Sequence, residues 1–262
     1  MNREPLDVVP LWGLLLASCA MGWLAVEGGY RYGSWRHRKS AEEKENPVGA
    51  MAASILGLLA FLLAFTFSLA ATRYDARRQI VLDEANAIGT TYLRARLLPE
   101  PHQTNVSGLL REYVDVRVRG VEEKNVAEAI TRSEVLHELI WSEAVKASKN
   151  KESNSEMTRL FIQSLNEMID LHAKRLFVGL GNRIPSAIWV GLFALAMLSM
   201  VGVGYQAGIS ATRRSPAMAG LILAIAGVLF LIADLDRFSE GFLTVSQHAM
   251  LDLQRTMHAA KP

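Results

Sequence analysis

The chain alternates between long runs without a charged side chain and long runs of mixed apolar and polar positions at helical spacing. Four uncharged runs, 8–26, 48–72, 184–209 and 217–233, are long enough to cross a bilayer as helices, which takes ~17–25 residues. Gly191, Gly202, Gly204, Gly220 and Gly227 on the last two suit helix-on-helix packing in lipid, where small residues let backbones approach. Trp12 and Trp23 bracket the first run, and Trp189 and Tyr205 the third, as expected of interfacial aromatics.

The stretch 73–183 reads as a helical extramembrane domain. From Arg73 onward Ile80, Val81, Ala85, Ile88 and Tyr92 recur at helical spacing, against a polar face of Arg73, Arg77, Asp83 and Glu84. No proline interrupts from Val48 until Pro99. The second span is therefore expected to continue as one long helix to about 98, where Pro99-Glu100-Pro101 stops it. Further helices are expected over 105–119, 121–149 and 153–179, with a polar loop at 149–154. Gly179, Gly181 and Asn182 end the last of these, and Pro185 opens the third span. The tail, 234–262, begins with Asp234, Asp236 and Arg237 at the membrane edge. Phe242, Val245, Ala249, Leu253 and Met257 then give an amphipathic pattern, lying either on the interface or on the helical domain. No stretch alternates with period two. The pattern predicts an all-α membrane protein with four transmembrane helices and a helical domain inserted between spans two and three.

Composition narrows the function classes. Lys and Arg number 28 against 26 Asp and Glu, so no nucleic-acid footprint is expected. Charged residues at 21% exclude a wholly intramembrane chain, and one cysteine excludes an internal disulfide framework. Leu16-Ala17-Ser18-Cys19 has the look of a lipoprotein cleavage site. Against it, the first residues hold one Arg beside two acids, and the apolar run continues past Cys19 to Val26. Cys19 is read as packed inside a span. The six histidines, at 37, 102, 137, 172, 248 and 258, form no HExxH, and His137-Glu138 is half of that motif because position 141 is Trp. There is no P-loop, no GxGxxG after a strand, no GxSxG elbow and no calcium-loop pattern. No catalytic residue, metal site or cofactor is assigned, and the chain is read as not an enzyme.

Two motif blocks carry a resemblance. Leu59-Ala60-Phe61-Leu62-Leu63-Ala64-Phe65-Thr66-Phe67-Ser68 runs on to Arg73-Tyr74-Asp75-Ala76-Arg77-Arg78. Asp83-Glu84-Ala85-Asn86-Ala87-Ile88-Gly89-Thr90 follows, with Tyr92-Leu93-Arg94. Together with 165–170, Ile184-Pro185, Asp234-Leu235-Asp236-Arg237 and Val245-Ser246-Gln247, these resemble the bestrophin-like domain family of mostly bacterial four-span membrane proteins. More distantly the chain is similar to bestrophins, pentameric anion (in some bacteria cation) channels. Their second helix carries a neck of three apolar residues four apart, followed eight residues on by an Arg-aromatic pair. Phe61 and Phe65 match the last two positions, and Arg73-Tyr74 falls eight beyond Phe65. Gly57, with Leu58 beside it, departs from the pattern at the first position. The acidic calcium clasp of the animal channels is missing.

Physically, Phe61 and Phe65 lie one turn apart on one helix face, and a ring of such faces can block ions by dewetting. The alternative is that Phe61, Phe65 and Phe67 face lipid or pack on the other spans. The implied pore neck is Leu58, Phe61 and Phe65. Arg73, Asp75, Arg77 and Arg78 are read as membrane-edge charges facing Asp234, Asp236 and Arg237, with Asp236 expected to pair with Arg77 or Arg78. The leading function is a homo-oligomeric ion channel in the bilayer. The rival is a non-conducting membrane scaffold or sensor whose helical domain binds a protein partner. A multi-pass protein of the bacterial inner (plasma) membrane is expected. Arg31, Arg36, Arg38, Lys39 and Lys44 in the first loop, with Arg213 and Arg214 in the second, favour cytoplasmic loops. Arg3, Arg73, Arg77, Arg78, Lys174, Arg175, Arg183 and Arg237 oppose them, and the resemblance places the helical domain in the cytoplasm.

Overall fold

A computed structural model describes residues 9–39, 45–123, 125–150, 154–181, 183–210, 216–237 and 241–259. All regular structure among the described residues is helical: α1 (Leu11–Lys39), α2 (Glu45–Ala95), α3 (His102–Glu122), α4 (Val126–Lys149), α5 (Ser155–Leu176), a π turn (Phe177–Gly181), α6 (Ser186–Ile209), α7 (Pro216–Asp236) and α8 (His248–Ala259). The chain divides into two compact units, Met1–Tyr74 with Arg183–Leu243, and Asp75–Asn182 with Thr244–Pro262. Position 8, Arg3, Lys44, residues 151–153, Asn182, Arg213 and Arg214, named above, lie outside the described residues, as do 238–240 and 260–262 of the tail.

Four helices are long and apolar enough to cross a membrane, Leu11–Lys39, Pro47–Ala95, Ser186–Ile209 and Pro216–Asp236, and the first unit holds three of them whole and the second helix as far as Tyr74. Helix α1 runs well beyond Val26, so Arg31, Arg36, Arg38 and Lys39 stand in its last turns and not in a loop. Glu27 and Arg31 pair at i,i+4, 2.7 Å apart. The stronger reason is a seam with α6. A side chain on Gly29 or Gly33 would be driven into the carbonyls of Val201 or Tyr205, and one on Gly204 or Gly208 into those of Val26 or Tyr30. Backbone meets backbone there, so the glycines that weaken α1 in isolation hold it against its neighbour. Gly204 thus packs as expected and Gly202 touches Ala52, whereas Gly191, Gly220 and Gly227 face open space. Trp189 is buried and stacks on Phe193 at 6.2 Å, a packing residue more than an interfacial one. Tyr205 stacks on Tyr32 at 5.6 Å. Cys19 is half-buried in mid-helix beside the cluster of Ala25, Val26, Met200 and Ile222.

The second unit is built around Ile88, Leu110, Leu136, Ile140, Phe161 and Met168. Helix α2 stops at Ala95, three residues short of the expected end, because the chain tightens: Leu97 and Leu98 donate to the carbonyls of Arg94 and Ala95 at 3.0 and 3.1 Å. Buried Leu98 anchors that turn ahead of Pro99. Helix α3 continues through Gly120 to Glu122, since Gly120 makes room for the side chain of Ala129. The helix expected over 121–149 therefore begins only at Val126. Asn154 caps α5 by accepting from the backbone N–H groups of Glu156 and Met157. Where helix was expected to 179, the π turn takes over from Phe177. In the tail, Phe242 is exposed and non-helical, and Met250 and Met257 supply the buried face of α8. Arg111 Nε donates to the Met257 carbonyl at 3.0 Å, and Gln254 and His258 both reach Asp115. Of the two placements considered for the amphipathic tail, α8 takes the one on the helical unit.

Candidate functional site

The apolar face of α2 comes first. Leu59 and Leu63 are buried in the membrane unit's core, whereas Leu58, Phe61 and Phe65 are 50%, 67% and 61% exposed. Phe61 and Phe65 are therefore not packed on the other spans of the same chain. Gly57 has open space around it, and Leu58 stands beside it on the outward side. Thr66 turns inward and its hydroxyl returns a hydrogen bond to the Leu62 carbonyl at 2.7 Å. The helix thus passes the two phenylalanines without a break.

At the edge of the same unit, Asp236 is buried at the end of α7. It accepts the backbone N–H of Ile184 at 3.0 Å, with Arg183 Nε at 3.5 Å and Arg73 Nη1 at 4.0 Å. Asp234 accepts the backbone N–H groups of Phe242 and Leu243 at 2.8 and 3.2 Å. This turn needs Gly241, which has a positive φ of 148° and would drive a side chain into the Asp234 carboxylate. Arg237 donates to the Val9 carbonyl. Asp75 and Arg78 are exposed and Arg77 is buried.

The helical unit holds a cluster that the sequence reading missed. Glu84, placed above on a polar face, is fully buried. It lies four residues from both Ile80 and Ile88, hence on the apolar side of α2. Arg175 of α5 donates to its Oε2, and Arg117 Nε of α3 lies 3.3 Å from Oε1. Tyr113 donates to Oε1 at 3.1 Å and lies 3.1 Å from His172 Nδ1. Arg175 also donates to Gln247, just ahead of α8, at 3.0 Å. His137 of α4 completes the group, its ring 5.0 Å from Tyr113 and 4.9 Å from His172. Burial pushes the Glu84 carboxyl upward, but the contacts from His172, Arg175 and Arg117 outweigh it and hold it far below the usual range. Burial, joined by the Glu84 charge, raises the Tyr113 phenol well above 10.0. Burial, then the neighbouring His172 and Arg117, lowers His137 from 6.5 to about 4. Among the described residues no three His, Cys, Asp or Glu side chains converge as a metal site.

Four helices long and apolar enough to cross a membrane, with a second all-helical unit, define an all-α fold of membrane-protein type. The bestrophin-like domain matches residues 20–250, and the chain belongs to that family. No curated protein matches it significantly. Its fold is shared with crystal structures of a bacterial bestrophin homologue from Klebsiella pneumoniae. A mutant of that protein superposes with a TM-score of 0.67 at 14% identity, covering 95% of this chain and 99% of the other. A second structure, phased with zinc, gives 0.66 at 16% identity, covering 95% and 98%.

Proposed function

We propose that the chain assembles with copies of itself into an ion channel in the bilayer, with Leu58, Phe61 and Phe65 of α2 as the apolar neck. The observation that carries this reading is the outward pair of phenyl groups one turn apart, on a helix whose other side is packed in the membrane unit. A closed ring of subunits would present the same face from each copy, and its phenyl groups would exclude water from the passage. Spans over 8–26, 48–72, 184–209 and 217–233, a helical domain over 73–183 and a tail over 234–262 belong to this reading. So does a cytoplasmic helical domain in a bacterial inner membrane, which reporter fusions at positions 40 and 150 would test. No cofactor and no catalytic chemistry is part of it.

The test is conduction by purified protein in planar bilayers. Wild type should pass ions, and Phe61→Ala with Phe65→Ala should give larger or constitutive current. If neither protein conducts, the neck is discarded. A scaffold role is the second reading. It is favoured by Leu93 of α2, Leu97 in the turn after it, and Val135 and Leu139 of α4, all exposed on the helical unit. In a channel such residues would lie between copies; in a scaffold they would meet another protein.

A further inference from the structure

The cluster around Glu84 holds two guanidinium groups, Arg117 and Arg175, against one carboxylate, so it already carries an excess positive charge when both histidines are neutral. Charge of this kind is tolerated in a buried site only while each group keeps its hydrogen bonds. Each histidine offers one ring nitrogen that lacks a partner: Nε2 of His137 and Nε2 of His172 are both buried without a hydrogen bond. The two rings stand edge to face, and both lie against the Tyr113 ring. Among the described residues His137 has no carboxylate within ion-pairing distance, unlike His172, whose Nδ1 lies 3.7 Å from Glu84. The groups facing His137 are Glu84 from α2, Tyr113 and Arg117 from α3, and His172 from α5. Of these, only Glu84 favours a proton on His137.

We infer that the His137–His172 pair is a proton-operated latch on the helical unit. At neutral pH the uncharged His137 ring packs from α4 onto Tyr113 of α3 and His172 of α5. A proton on His137 adds a third cation to Arg117 and Arg175, with one carboxylate to serve them all, and α4 loosens from its neighbours. In the open state His137 regains water and its ordinary basicity. The closed state therefore keeps its full stability above about pH 6.5 and loses it as pH falls toward about 4, because the open state binds the proton first. Below that value both states are protonated and His137 has no further effect. The latch does not depend on whether the chain conducts.

Hydrogen–deuterium exchange on the full-length chain in lipid nanodiscs tests it, with rates normalised to intrinsic exchange at each pH. Between about pH 7 and about pH 5 the opening of α4 (Val126–Lys149) should rise about 20-fold in wild type. His137→Phe, which keeps a ring against Tyr113, should hold α4 at its neutral-pH protection across that range. His137→Gln is the second variant, in case the larger ring disturbs packing. The latch is overturned if wild-type α4 is equally protected at both pH values. It is equally overturned if either variant, folded at neutral pH, retains the wild-type response.

Discussion

The carboxylate of Glu84 and the guanidinium of Arg175, 91 residues apart in the chain, form a buried ion pair that ties α2 to α5. Neither side chain has water to fall back on. Glu84→Gln should leave Arg117 and Arg175 as uncompensated buried charges and destabilise the helical unit by about 3–5 kcal/mol. Chemical denaturation followed by exchange in α3 and α5 would measure it. A loss under about 1 kcal/mol would mean that the arginines find other acceptors.

The same pair sets an acid limb distinct from that of His137. The Glu84 carboxyl is held below its ordinary 4.5 in the folded chain. Its stabilisation is therefore present above that value and is lost as pH falls below it, toward the depressed folded value. Wild type should lose stability more steeply than Glu84→Gln below about pH 4, as read by intrinsic fluorescence.

Glycine substitutions separate the α1–α6 seam from the rest of the membrane unit. Gly204→Ala places a methyl against the Val26 carbonyl and should cost about 1–3 kcal/mol or abolish folding. Gly191→Ala, Gly220→Ala and Gly227→Ala meet nothing and should be neutral or mildly stabilising. Thermal melts in detergent give the ranking, and equal effects at all four positions would count against the seam.

The helical unit offers a matched pair. Gly108 lies exposed inside α3 with open space around it, so Gly108→Ala should stabilise by roughly 0.5–1 kcal/mol. Gly120→Ala, two turns before α4 begins in sequence and pressed on Ala129, should destabilise the α3–α4 contact. Urea midpoints would show opposite signs.

Asp236 should couple to Arg73. The residues are 4.0 Å apart with little water between them, so a cycle of Asp236→Asn and Arg73→Gln should show an interaction energy above the ~0–1 kcal/mol of exposed pairs. Additive effects on thermal stability would remove the contact from consideration.

Much of the membrane unit was legible because a bilayer demands long uncharged runs, and such runs survive inspection of one sequence. The extension of α1 was not. Glu27, Arg31 and three nearby glycines look like a loop until α6 is brought alongside, and that partner lies far along the chain. The Glu84 cluster failed for a different reason. A charged residue was assigned to a polar face by its chemistry, although its spacing from Ile80 and Ile88 put it inside. Its partners Tyr113, Arg117, His172 and Arg175 come from two other helices, so no local motif announces them. By contrast, helical period alone puts Phe61 and Phe65 on one face, whereas its outward direction is set by the packing of Leu59 and Leu63 on the other side.

The glycine seam also has a temporal side. Ser34 and Gly208, which meet across it, are 174 residues apart. At ~5–20 residues per second, α1 waits roughly 10–35 s during synthesis before α6 leaves the ribosome. Lipid tails cover a bare glycine strip without the penalty that water would exact, so the early helix can stand alone in the bilayer. Closure of this seam is then a late event of biogenesis. A nascent chain halted before α6 should leave position 34 more open to a thiol reagent, when it carries Ser34→Cys, than a completed chain does.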